Sequence, residues 1–177
     1  MTLLEHSLKD AHSYKTLSMP NTNATLQPRK LENLKLDRQL CFAMYSATHA
    51  MTRSYKRALA IVGLTYPQYL VMLVIWEHDG IGVSEIAALL ELDTPSVTPV
   101  IRRLESAGFL TRMPVPGDGR MSSLKVAPKG WEIQERVADI QTEMACRAGL
   151  ESAEFNRLKA ALHEVSARLR ETLEAHD

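Results

Sequence analysis

The stretch from Val83 to Val126 constrains this chain more than any other. Within Ser84–Leu90, the apolar residues Ile86, Leu89 and Leu90 recur at helical spacing, so they predict one buried face on a short helix. Leu92-Asp93 reads as a turn. Thr94 reads as the N-cap of a second helix, and Pro95 suits its first position, where the missing N–H has no bond to lose. Val97, Ile101 and Leu104 carry that helix to Ala107, and Gly108 stops it. Phe109–Val115 and Arg120–Val126 read as strands around the turn signal Pro116-Gly117-Asp118-Gly119. Helix, turn, helix and hairpin in that order predict a winged helix-turn-helix, a DNA-reading module over residues 83–127.

The polar residues of this stretch suit that role. Thr94, Ser96 and Thr98 lie near the start of the second helix, where short hydroxyls approach base edges and free N–H groups favour phosphate. Arg102 and Arg103 follow a turn later, placed to hold the backbone or reach guanine. Arg112, Arg120 and Lys125 add cations to the wing. Taken singly, each hydroxyl also reads as a cap and each arginine as a solvated surface group. The ensemble is what points to double-stranded DNA.

Charge supports a local rather than a global attraction. Lys+Arg and Asp+Glu both number 21, so the formal net charge is zero. A nucleic-acid binder of zero net charge must concentrate its cations, and the region from Glu132 to Asp177 carries much of the balancing acid. At 177 residues, 45% hydrophobic and 24% charged, the chain suits one globular domain with an arm. No run has the length of a membrane span and the N-terminus lacks a signal-peptide core, so the expected compartment is the cytoplasm. In that reducing setting, two cysteines are expected to be free or transiently oxidised.

Residues 1–34 are polar and irregular and read as a flexible arm. Residues 36–62 read as a long helix with the stripe Leu40, Met44, Ala47, Met51, Tyr55 and Leu59. Gly63 ends it. Thr65 can cap the next helix, which is apolar almost all round and so belongs at the centre of the fold. Beyond the wing, a helix from Trp131 to Arg147 presents Ile133, Val137, Ile140 and Met144, and Gly149 breaks it. A last helix from Ser152 to Leu173 presents Phe155, Leu158, Leu162, Val165 and Leu169. Long amphipathic helices at 36–62 and 131–173 exceed what so small a module can cover. They predict a mainly α homodimer whose terminal helices interleave, with two recognition helices set for a pseudo-palindromic site.

Cys41 falls in the first turns of the first long helix. Two roles fit it: a buried inert thiol, or a thiolate favoured by the helix N-terminus and open to peroxide. Tyr55 shares nearly the same helical face but lies about 21 Å along the helix, so it cannot reach Cys41 of its own chain. It can reach Cys41 of the partner subunit if the first helices cross antiparallel, and Tyr66 can do the same. The tyrosines serve either as hydrogen-bond donors to sulfur or as interface packing. No Cys-x-x-Cys or His-Glu-x-x-His occurs and no Gly-rich loop follows a strand, so no metal or cofactor is expected.

These residues resemble a known family. From Leu36 to Leu173 the chain is similar to the MarR regulators, and more narrowly to the organic-hydroperoxide-sensing OhrR repressors. The similarity rests on Leu36-Asp37-Arg38-Gln39-Leu40-Cys41-Phe42-Ala43-Met44-Tyr45, on Leu64-Thr65-Tyr66-Pro67-Gln68-Tyr69-Leu70, on Trp76-Glu77, on Leu92-Asp93, on Thr98-Pro99 with Arg103-Leu104-Glu105, and on Asp118 and Arg120 as an Asp-x-Arg wing tip. The resemblance implies that Cys41 is the peroxidatic cysteine, bonded by Tyr55 and Tyr66 across the dimer. It implies that Cys146 resolves the oxidised thiol, as in the two-cysteine branch, and that the protein represses a hydroperoxide-detoxifying gene. Three positions depart from the pattern: Pro95 for a common Gly, Gly119 for an acidic residue, and Ala127-Pro128 for Leu-Thr. They bear on operator preference and wing geometry rather than on sensing.

Three functions therefore compete. The first is a repressor released by organic hydroperoxide through Cys41 and Cys146. The second is a MarR-type regulator released by a reversibly bound small ligand. The third is a thiol peroxidase, against which the winged module argues.

Overall fold

The computed structural model describes residues 34–115 and 118–174, without the side chains of residues 115, 118–121, 173 and 174. All of the expected arm except Leu34 lies outside the described residues, as does the Pro116-Gly117 half of the expected turn. The chain divides into two compact units that meet between Met44 and Tyr45.

The described part of the first unit holds a 3-10 turn, Leu36–Arg38, and the first residues of helix α1 (Leu40–Ala60). The helix expected from Leu36 starts later because Gln39 is extended, at φ −88° and ψ 116°. The short turn closes on itself, with the Gln39 N–H donating to the Leu36 carbonyl.

The second unit continues with α2 (Tyr66–Glu77), β1 (Ile81–Gly82), α3 (Val83–Leu89), α4 (Thr94–Ser106), β2 (Leu110–Val115), β3 (Asp118–Val126), α5 (Pro128–Glu132), α6 (Gln134–Ala148) and α7 (Ser152–Glu174). The three strands form an antiparallel sheet in the order β1-β3-β2. As its all-round apolar sequence predicts, α2 lies at the centre: Tyr69, Val71, Met72 and Ile75 are buried with Ile86 of α3, Val97, Ile101 and Leu104 of α4, and Leu110 and Leu124 of the hairpin. Gln68 fastens the start of α2 by accepting from the Thr65 N–H at 2.8 Å and from its hydroxyl at 2.9 Å.

Several local expectations are corrected. The cap of α4 is Asp93, whose carboxylate accepts from the Ser96 N–H at 2.9 Å; Thr94 stands one residue inside the helix and Pro95 at its second position. A carboxylate satisfies a free N–H and the positive end of the helix at once, which favours Asp over Thr here. In α3 the buried pair is Ile86 and Ala87, while Leu89 is 54% exposed. A two-turn helix is too short for its apolar period to fix the buried face, and the small Ala87 permits close packing.

The helix expected over 131–147 is split into α5 and α6 at Ile133 (φ −91°, ψ −7°). At this joint the Gly130 carbonyl accepts from Trp76 Nε1 at 3.2 Å, tying it to α2. Gly130 is also needed for space: a Cβ there would meet the Phe109 carbonyl oxygen at 2.5 Å and Val126 Cγ1 at 2.7 Å. The predicted inner face of α6 holds, with Val137, Ile140 and Met144 buried, and Gly149 ends the helix in the left-handed region at φ +65°.

Candidate functional site

The buried side of α4 is Val97, Ile101 and Leu104, which leaves the opposite side to solvent. Thr94, Ser96, Arg102 and Arg103 are exposed there, as the sequence predicts. The guanidinium groups of Arg102 and Arg103 have no hydrogen-bond or ion-pair partner among the described residues, so nothing must be broken before they meet an anion. Thr98 differs: its hydroxyl donates back to the Thr94 carbonyl at 2.8 Å, so its proton is spent within the helix. Pro99 has no N–H to offer the Pro95 carbonyl, which leaves that carbonyl without its helical bond. At the other end of α4, Lys129 donates to the Ala107 carbonyl at 2.7 Å and sits 4.5 Å from the centre of the Phe109 ring. A cation there complements the negative end of the helix.

The wing places its cations differently from the sequence reading. Lys125 is exposed. Arg112 is not free: its guanidinium donates to both Glu105 carboxylate oxygens, at 2.9 and 3.2 Å, and to the Ser122 hydroxyl at 2.7 Å. The side chains of Asp118 and Arg120 lie outside the described residues.

Cys41 is the second residue of α1, exposed and unbonded, and Cys146 is exposed and unbonded near the end of α6. Tyr55 and Tyr66, from different helices, come together with ring centres 5.4 Å apart. Tyr69, which the sequence reading passed over, joins them at 5.3 Å from Tyr55 and 5.9 Å from Tyr66. Its spacing of three from Tyr66 on one helix was the signal available. Burial, then the neighbouring Tyr55, push the pKa of Tyr66 up; burial, then Tyr55 through its charge and a hydrogen bond, and then Tyr66 push that of Tyr69 up.

Among the described residues no group of His, Cys, Asp and Glu is placed to hold a metal ion. A shallow groove of about 310 Å³ runs between α2 and α6, floored by Leu73, Trp76 and Val137 and edged by Glu77, Gln134 and Gln141.

Known proteins share this fold. Residues 64–122 match the MarR family. The organic hydroperoxide resistance transcriptional regulator of Bacillus subtilis (strain 168) is 33% identical over 134 residues, covering 76% of this chain and 91% of the relative. The HTH-type transcriptional regulator TtmR of Methylorubrum extorquens (strain PA1) is 43% identical over 111 residues, which span 63% of this chain but only 57% of TtmR. Among solved structures, reduced AbfR bound to DNA superposes with a TM-score of 0.69 at 28% identity, covering 81% of this chain and 98% of AbfR. A disulfide form of AbfR superposes with a TM-score of 0.56 at 28% identity, covering 81% and 95%. With a relative a third identical across nearly its whole length and a winged-helix framework in common, this chain belongs to the MarR family of DNA-binding transcriptional regulators.

Proposed function

We propose that this protein is a cytoplasmic, homodimeric repressor that releases operator DNA when organic hydroperoxide oxidises Cys41. The Cys41 thiolate attacks the peroxide O–O bond. Sulfur takes one oxygen as sulfenic acid and the alkoxide leaves as an alcohol after protonation. Cys146 of the partner subunit then attacks the sulfenic sulfur, water leaves, and an intersubunit disulfide remains. The observation that carries this reading is the ring-to-ring pairing of Tyr55 with Tyr66, two phenols that can jointly donate to a sulfur of the partner.

The Bacillus relative, named for organic hydroperoxide resistance, supports the choice of oxidant. AbfR, solved both reduced on DNA and in a disulfide form, supports the choice of switch. On the DNA side, the proposed contacts are Thr94, Ser96, Thr98, Arg102 and Arg103 on α4, with Asp118 and Arg120 at the wing tip. Residues 36–62 and 131–173 supply the dimerisation helices on either side of the 83–127 module.

A second reading, release by a reversibly bound small ligand, is favoured by the groove between α2 and α6. Operator binding with and without cumene hydroperoxide, on wild type and Cys41→Ser, separates the two. The redox reading expects peroxide to abolish wild-type binding and leave Cys41→Ser bound. Release of Cys41→Ser by peroxide, or retention of DNA by wild type, overturns it.

A further inference from the structure

We propose that Arg112 is a positioning residue for DNA binding, which sets the wing against the recognition helix instead of contacting DNA. The inference rests on the family's DNA-binding activity and not on the redox reading.

In the β2–β3 hairpin, Leu110 faces Val126, Arg112 faces Leu124, and Pro114 faces Ser122. Residues directly opposite in an antiparallel pair share a face. Leu110, Leu124 and Val126 are buried against the core, so Arg112 lies on the inward face, the one that packs toward α4. It stands where the apolar core ends and the wing begins to project.

From that place its guanidinium binds in two directions. Nε and one terminal nitrogen donate to the two oxygens of Glu105, in the last turn of α4, at 2.9 and 3.2 Å. The other terminal nitrogen donates to Ser122, one diagonal step along β3 toward the wing tip, at 2.7 Å. A planar guanidinium held as a fork on a carboxylate has a fixed orientation, and its third bond passes that orientation to the opposite strand. Beyond Arg112 the inward face offers Pro114 and Ser122, with no large apolar side chain among the described residues to hold the wing by packing. The bridge thus supplies what the core does not: a set angle between the helix that enters the major groove and the hairpin beside it. Its cation is already engaged, whereas Arg102 and Arg103 are not.

The test uses the full-length homodimer and a duplex that the wild-type protein selects from random DNA. Affinity is measured across salt concentrations for Arg112→Gln, Arg112→Lys, Glu105→Gln and the Arg112→Gln/Glu105→Gln pair. A positioning role expects Arg112→Gln and Glu105→Gln each to weaken binding by about three- to tenfold. It expects the double variant to be no weaker than the worse single, since neighbours in one network are not additive. Arg112→Lys keeps the charge but loses the fork, so it should weaken binding too. The salt slope should match wild type, because no phosphate contact is lost.

A direct contact gives the opposite pattern. Arg112→Gln would lower the salt slope by about one, Arg112→Lys would bind as wild type, and Glu105→Gln would be neutral or tighter. That pattern, additive losses, or unchanged affinity in the single variants overturns the proposal. Ser122→Ala, which cuts only the strand end of the bridge, is the control against misfolding: it should weaken binding while leaving the melting temperature unchanged.

Discussion

At the scale of single residues, Asp93 shows how one side chain ties stability to pH. Its carboxylate is hydrogen-bonded by Ser96 at the start of the recognition helix, first by the hydroxyl and then by the backbone N–H, and these bonds hold its pKa below the usual aspartate range. A depressed pKa means the native state favours the charged form. The contribution is therefore complete above the unfolded value of about 3.9 and is lost as pH falls through the folded one. Glu91, at φ 56°, moves in the same direction because Arg170 hydrogen-bonds its carboxylate. Asp93→Asn keeps a cap but has no charge to titrate. Its urea midpoint should fall less than that of wild type between about pH 6 and pH 3. Equal falls in the two proteins would show that the cap does not titrate.

At the scale of elements, the joint between the wing and α5 leaves no room for a side chain at Gly130. Gly130 lies where α5 meets the Phe109 carbonyl and Val126, and its own carbonyl holds the Trp76 indole. A methyl group at 2.5 Å from a backbone oxygen cannot be accommodated by rotating a side chain. Gly130→Ala should cost about 1–3 kcal/mol as overpacking. It should lower the melting temperature by about 2–4 °C per kcal/mol in a protein of this size. An unchanged melting temperature would mean that α5 shifts freely, and the joint would then carry no constraint.

At the scale of the whole molecule, the single chain leaves its terminal helices uncovered. Leu40 and Met51 of α1, and Phe155, Leu158, Leu162 and Leu169 of α7, are all exposed. Two apolar stripes of this length exceed the isolated exposed residues that a monomer tolerates, and a second copy of the chain is the occupant the proposed function requires. If oxidation joins Cys41 to Cys146 of the partner subunit, peroxide-treated protein should run as a covalent dimer without reductant. The band should vanish in Cys146→Ser and in Cys41→Ser. Monomer throughout would exclude an intersubunit bond and leave small-thiol capping as the fate of the oxidised cysteine. The bond demands Cα atoms about 4.4–6.8 Å apart, so forming it fixes the two subunits in one relation. Two recognition helices must lie about one DNA turn apart to bind together, and that spacing is what such a bond would change.

Periodicity and turn signals placed the main helices and the hairpin, though not the two-residue β1 or the break at Ile133. The 3.6-residue repeat of Val97, Ile101 and Leu104, the all-round apolar α2, the stop at Gly108 and the inner face of α6 are written locally, and all four are found in the fold. The resemblance to the MarR family was legible for the same reason, since its signature text lies in contiguous stretches. What escaped the sequence depends on which distant group comes to meet a residue. Arg112 read as a free wing cation until packing set the end of α4 beside the hairpin and gave it Glu105. Alternation with Leu110 hinted at its inward face but could not name its partner. Tyr69 read only as one more apolar position of a central helix; it is buried there, but its stacking on Tyr55 arises from the approach of α1 to α2. Leu89 and Ala87 exchanged places because a two-turn helix takes its buried face from its neighbours. Helical and strand repeats are properties of a segment, and a sequence states them directly. A salt bridge or ring stack between segments exists only once the hydrophobic core has set them side by side.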